Sequence, residues 1–108
     1  MYDFARWQAW LQSKAVELNA EGFKSELRIG VATSPKPGMV LGITGIGAIG
    51  SFENWITGET DYTVLVPPTP SAKMASQKWG VVLTDDTFEA AFRDFLSEFK
   101  KLDSENSN

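Results

Sequence analysis

The chain contains neither cysteine nor histidine. Without cysteine there is no disulfide staple, thiol redox chemistry or cysteine-ligated zinc, and without histidine no Ser-His or Cys-His nucleophile pair. Basic residues are scarce. Ten Lys plus Arg stand against fourteen Asp plus Glu, a net charge of −4 over 108 residues, and the cations form no cluster. Such a chain repels phosphate, which argues against nucleic acid and anionic membranes as partners. Long hydrophobic runs are missing too: the longest apolar stretch, about Met39 to Ile49, is cut by three glycines and is too short to span a bilayer. The start, Met1-Tyr2-Asp3-Phe4, lacks the basic stretch and apolar run of a secretory signal, so the expected compartment is the cytoplasm.

The remaining composition, 43 % hydrophobic and 22 % charged, is that of a globular chain, and its length holds one core. Phe4, Trp7, Leu11, Ala15 and Leu18 recur at helical spacing and predict a helix from Asp3 to Ala20, with Asp3 as N-cap, Gly22 at the stop and Trp10 partly covered on its flank. Alternation takes over from Ser25 to Thr33, with Leu27, Ile29 and Val31 on one side. Pro35 and Pro37 break that strand ladder. Further strands are expected over Met39–Thr44, Ala48–Ile56, Asp61–Val66 and Ala75–Leu83, the last with Trp79, Val81 and Leu83 on one face. Thr57-Gly58-Glu59-Thr60 reads as a hairpin turn, and Pro67-Pro68-Thr69-Pro70 as a stiff loop.

A second helix opens at Thr84-Asp85-Asp86-Thr87 and carries Phe88, Ala91, Phe92, Phe95, Phe99 and Leu102 as its apolar stripe, with Glu89 and Arg93 as an i,i+4 pair. The expected fold is α+β over residues 1–102: an antiparallel sheet of about five strands between an N-terminal and a C-terminal amphipathic helix, with 103–108 as a frayed polar tail. Both helices are placed most simply on one sheet face, leaving the other to solvent or a partner.

Gly45-Ile46-Gly47-Ala48-Ile49-Gly50 spells G-x-G-x-x-G, but a dinucleotide site needs a helix to follow, and Ser51 to Gly58 reads as strand and turn. Only 58 residues follow Gly50, too few for a doubly wound sheet, so the glycines are expected to serve a bulge, a bend or close packing, with no cofactor. The serines lack an activating base; Ser71/Lys73 and Ser76/Lys78 have Ser-Lys spacing without the surrounding pattern of such enzymes. No catalytic or metal-ligating set emerges, and the chain is expected not to be an enzyme.

Around the hairpin lie Glu53, Glu59 and Asp61, read either as a solvated turn face or as an acidic contact patch for a basic partner. Trp55 lies two residues after Glu53. One turn length sets it opposite Tyr62 and another sets Ile56 there; an exposed Trp-Tyr pair would be a binding anchor, a buried one part of the core. The contact residues expected on these grounds are Glu53, Trp55, Glu59, Asp61 and Tyr62.

The stretch Gly47-Ala48-Ile49-Gly50-Ser51-Phe52-Glu53-Asn54-Trp55-Ile56-Thr57-Gly58-Glu59-Thr60-Asp61-Tyr62-Thr63-Val64-Leu65-Val66 resembles the central hairpin of the TriTu-type immunity proteins of bacterial polymorphic toxin and contact-dependent inhibition systems. Trp55, Gly58, Glu59, Asp61, Lys78-Trp79 and Leu83-Thr84-Asp85-Asp86 fill the corresponding places, while the glycine-rich run and the two residues between Trp55 and Gly58 depart from the pattern. The resemblance implies an antitoxin that binds one cognate toxin domain, here a basic one such as a nuclease, and blocks it without catalysis. The alternative from another class is an acidic secretion-type chaperone or small scaffold that pairs with its own copy as a homodimer.

Overall fold

A computed structural model describes residues 1–30, 38–66 and 73–106, with the backbone alone for 73–79. It has the α+β architecture expected of the sequence: helix α1 (Phe4–Ala20), strands β1 (Lys24–Ile29), β2 (Gly38–Thr44), β3 (Ile49–Trp55), β4 (Glu59–Val66) and β5 (Lys73–Val82), then helix α2 (Phe88–Glu105). The strands form one antiparallel sheet in the order β1-β2-β3-β4-β5. The two proline-containing loops expected at 34–37 and 67–70 lie outside the described residues.

The stripes read from the sequence are the ones that are buried. Trp7, Leu11, Ala15 and Leu18 of α1 and Phe88, Phe92, Phe95 and Phe99 of α2 join Met39, Leu41, Ile43, Phe52, Tyr62 and Val64 of the sheet in one core. Trp10 is partly covered, edge-on to Phe92 at 5.2 Å between ring centres. Each fully buried phenylalanine stabilises the fold by roughly 1.5–3 kcal/mol, so the four on α2 dominate its attachment. Both helices lie on the same sheet face, α1 over β1 and β2 and α2 over β3 and β4. The opposite face carries no covering element among the described residues.

Asp85, in the segment that opens the second helix, serves the start of α1. Its Oδ1 accepts from the Asp3 amide at 2.9 Å and from the Trp7 indole at 2.7 Å, and its own amide donates to the Met1 carbonyl. The Asp3 amide foremost, and the Trp7 indole next, hold the Asp85 carboxyl below its ordinary value of 3.8. The Asp3 carboxylate caps α1 as expected, accepting from the Arg6 amide.

Helix α2 passes the point where a frayed tail was expected and continues to Glu105. Asp103 supplies a reason. Its Oδ1 accepts from the amides of Gly47 at 2.7 Å and Ala48 at 3.1 Å in the β2–β3 loop, which anchors the last turn.

Candidate functional site

The uncovered sheet face is built by the odd-numbered residues of β3 and β4. Register fixes them: Phe52 lies opposite Tyr62, Glu53 opposite Asp61, and Asn54 opposite Thr60. The hairpin turn is therefore Ile56-Thr57-Gly58, closed by the Gly58 amide on the Trp55 carbonyl at 2.8 Å. Gly58 is required there, because its φ is +91° and a Cβ would stand 2.6 Å from the Leu83 carbonyl oxygen.

Neither expected pairing for Tyr62 holds. Its partner is Phe52, and it faces the core at 8 % exposure against Phe95. Adjacent strand residues point to opposite faces, so Tyr62 cannot share a surface with Asp61. Glu53, Trp55, Glu59 and Asp61 do come together on the outer face, each partly exposed.

Trp55 is seated by its neighbour on β2. A Cβ on Gly38 would lie 3.3 Å from the Trp55 Cδ1, so the absence of a side chain at Gly38 lets the indole lie over the strand. Exposed Ile56 at the turn and Val82, paired with Glu59, extend the apolar surface around it.

The acids are not equivalent. Asp61 has a structural partner: its Oδ1 accepts from the Gly80 amide, where β5 takes a bulge with Gly80 at φ +66°. The Glu53 carboxylate accepts no hydrogen bond and forms no ion pair among the described residues. Partial burial first, and the facing Asp61 carboxylate second, raise its proton affinity above the ordinary value. Like charges directly opposite on a sheet are destabilising, so Glu53 is a cost to the fold.

Beneath the site, on the core side, Asn54 and Thr60 form a buried pair. Asn54 Nδ2 donates to Thr60 Oγ1 at 2.8 Å, and that hydroxyl donates to the Gly58 carbonyl, bracing the turn from within. Neither residue is among the contact or core residues expected from the sequence. The inward alternation of Asn54 with Phe52 on β3, and of Thr60 with Tyr62 and Val64 on β4, is the signal that could have found them.

The G-x-G-x-x-G run is consumed by α2. The amides of Gly47 and Ala48, which a nucleotide would need, are held by the Asp103 carboxylate. A Cβ on Gly47 would stand 2.5 Å from the Asn106 carbonyl carbon, and one on Gly50 would stand 2.9 Å from the Phe95 ring. A strand follows the run, as expected, and the glycines serve close packing of the helix. The side chains of the Ser71/Lys73 and Ser76/Lys78 pairs, and of Trp79, lie outside the described residues.

Among the described residues, no group of three or more Asp or Glu is placed to hold a metal ion, and no helix is long and apolar enough to cross a membrane. Comparison of the chain with protein-family models, with curated proteins and with solved structures returns no match.

Proposed function

We propose that this protein is a cytoplasmic, non-catalytic immunity-type protein that neutralises a basic bacterial toxin domain by binding it over the outer sheet face. The observation that carries the reading is Glu53. It is an acid set opposite another acid and partly buried, and among the described residues it has no ion-pair partner and no element covers its face. A residue that weakens its own fold in this way is expected where a ligand supplies the missing cation. Trp55 beside it offers an aromatic anchor of the kind that dominates interface energetics, and Glu59 adds charge of the same sign. Lys or Arg from the toxin would enter between these groups, neutralising Glu53 and stacking on Trp55. The likeness of the hairpin to TriTu-type immunity proteins points the same way.

Affinity capture from the host lysate tests this with wild-type chain and the E53A/W55A variant side by side. The proposal predicts one basic protein retained by the wild type and lost by the variant. Equal retention by both, or retention of many unrelated proteins, would overturn it in favour of a scaffold or chaperone.

A further inference from the structure

Among the described residues, features at the inner face and at both edges of this sheet disfavour docking there. The helices cover the inner face over β1 to β4. At the β1 edge the Asn19 carboxamide pairs with the Ser25 backbone in both directions, Oδ1 accepting from the amide at 2.8 Å and Nδ2 donating to the carbonyl at 3.1 Å, as a neighbouring strand would. At the β5 edge, irregularities opposite Thr60–Tyr62 and Val64–Leu65 break the ladder. Edges interrupted in this way disfavour strand-to-strand association and favour the outer face.

That face is shaped in two halves. Toward the β3–β4 turn it carries the outward side chains of Trp55 and Val40. Toward the other end lies a shallow dip of about 600 Å³ whose floor includes Gly42 and Ser51. Opposite charges alternate along its rim, since Glu26 and Arg28 point outward two residues apart on β1, with side chains 69 % and 71 % exposed. Their mutual contact, 3.6 Å at the surface, contributes little, so both are available to other partners.

We propose that a second copy of this chain docks on the outer face, related by a two-fold axis that crosses the strands between Val40 and Gly42. The axis reverses each strand over its own copy. It sets Val40 over the second copy's Gly42, Arg28 over its Glu26, and Trp55 over its Ile49, each contact occurring twice. The Val40 side chain thus meets the space above a glycine, a cation meets an anion, and exposed Ile49 is covered. Two sheets packed face to face with strands roughly aligned is an ordinary arrangement. Five strands and six or seven residues give a footprint of roughly 500 Å² per copy from standard strand spacings. Stable interfaces bury about 800 Å² per partner, so this dimer is weak and concentration-dependent. It covers Trp55 and Glu53, so a second copy and the toxin domain proposed above exclude one another. The dimer itself does not depend on that toxin reading.

Sedimentation velocity of the purified chain from about 5 µM to about 1 mM tests it without any other protein. The mass is expected to rise from one chain to two across that range. Gly42→Lys fills the dip and should remain one chain throughout; a Cβ at Gly42 meets nothing within 4 Å, so the fold accepts it. Arg28→Glu should also remain one chain, and the R28E/E26R swap should restore the dimer. A wild type that stays at one chain throughout, or a G42K variant that pairs like the wild type, would overturn the proposal. Neither result bears on toxin binding, which the capture experiment reads separately.

Discussion

Gly47→Ala is the sharpest test of how α2 is fixed to the sheet. The added methyl would lie 2.5–2.7 Å from the backbone of Asp103 and Asn106, where no side chain can swing away. The loop or the end of α2 must then move, and the hydrogen bonds from Gly47 and Ala48 to the Asp103 carboxylate lengthen or break. Overpacking costs about 1–3 kcal/mol, and weakening a charge-assisted bond adds to that. A loss of about 2 kcal/mol lowers Tm by roughly 8–16 °C in a domain of this size. Asp103→Ala should cost a similar amount, by leaving the two amides without their acceptor. The double variant should lose less than the sum of the singles, because both changes break one contact. Thermal unfolding followed by circular dichroism measures all three, with Gly42→Ala as the control substitution into open space. If G47A melted within about 2 °C of G42A, a shift worth under about 0.5 kcal/mol, the helix would not be seated as described.

Asp85 carries an acid-dependent contribution to stability. Its carboxyl is held low in the folded state, so the stabilisation is present above the ordinary value of 3.8 and is lost as pH falls through the lowered one. The urea midpoint of D85N should therefore lie below wild type at pH 7, with the gap closing in acid. Thr60→Val removes the hydroxyl that braces the turn and leaves the buried Asn54 amide without its acceptor; urea unfolding should show a loss of about 1–3 kcal/mol.

Most of the architecture was legible because each helix repeats large apolar residues at one spacing. No reading of Trp7, Leu11 and Leu18, or of the four phenylalanines of α2, offers an alternative face. The hairpin was harder. Its register depends on whether Gly58 closes a turn of two or three residues, and a single step moves every side chain to the other face. Tyr62 was nonetheless readable as an inward residue, since it alternates with Glu59, Asp61 and Thr63 and shares its parity with Thr60 and Val64. The grouping of Tyr62 with the acids followed closeness in sequence where strand geometry demands alternation. The role of Asp103 was not legible. It lies 56 residues from Gly47, and only the folded chain brings them together. The sequence showed that the glycine run lacked a following helix, but not what fills its amides.

The proposed partner-binding role of Glu53 and Trp55 comes at some expense to the fold, and Glu53→Gln reads both effects in one variant. Removing the charge relieves the repulsion from Asp61, a gain of about 0.5 kcal/mol for a half-exposed cross-strand pair. Because the folded state raises the proton affinity of Glu53, the gain should be present at neutral pH and vanish as pH falls below the ordinary value of 4.5. The same variant should bind the captured basic partner at least tenfold more weakly by calorimetric titration, about 1.4 kcal/mol, while Lys101→Ala on the far helix leaves binding unchanged. Higher stability with weaker binding is the predicted pair of results. An E53Q protein that binds as tightly as wild type would contradict the proposed role of Glu53.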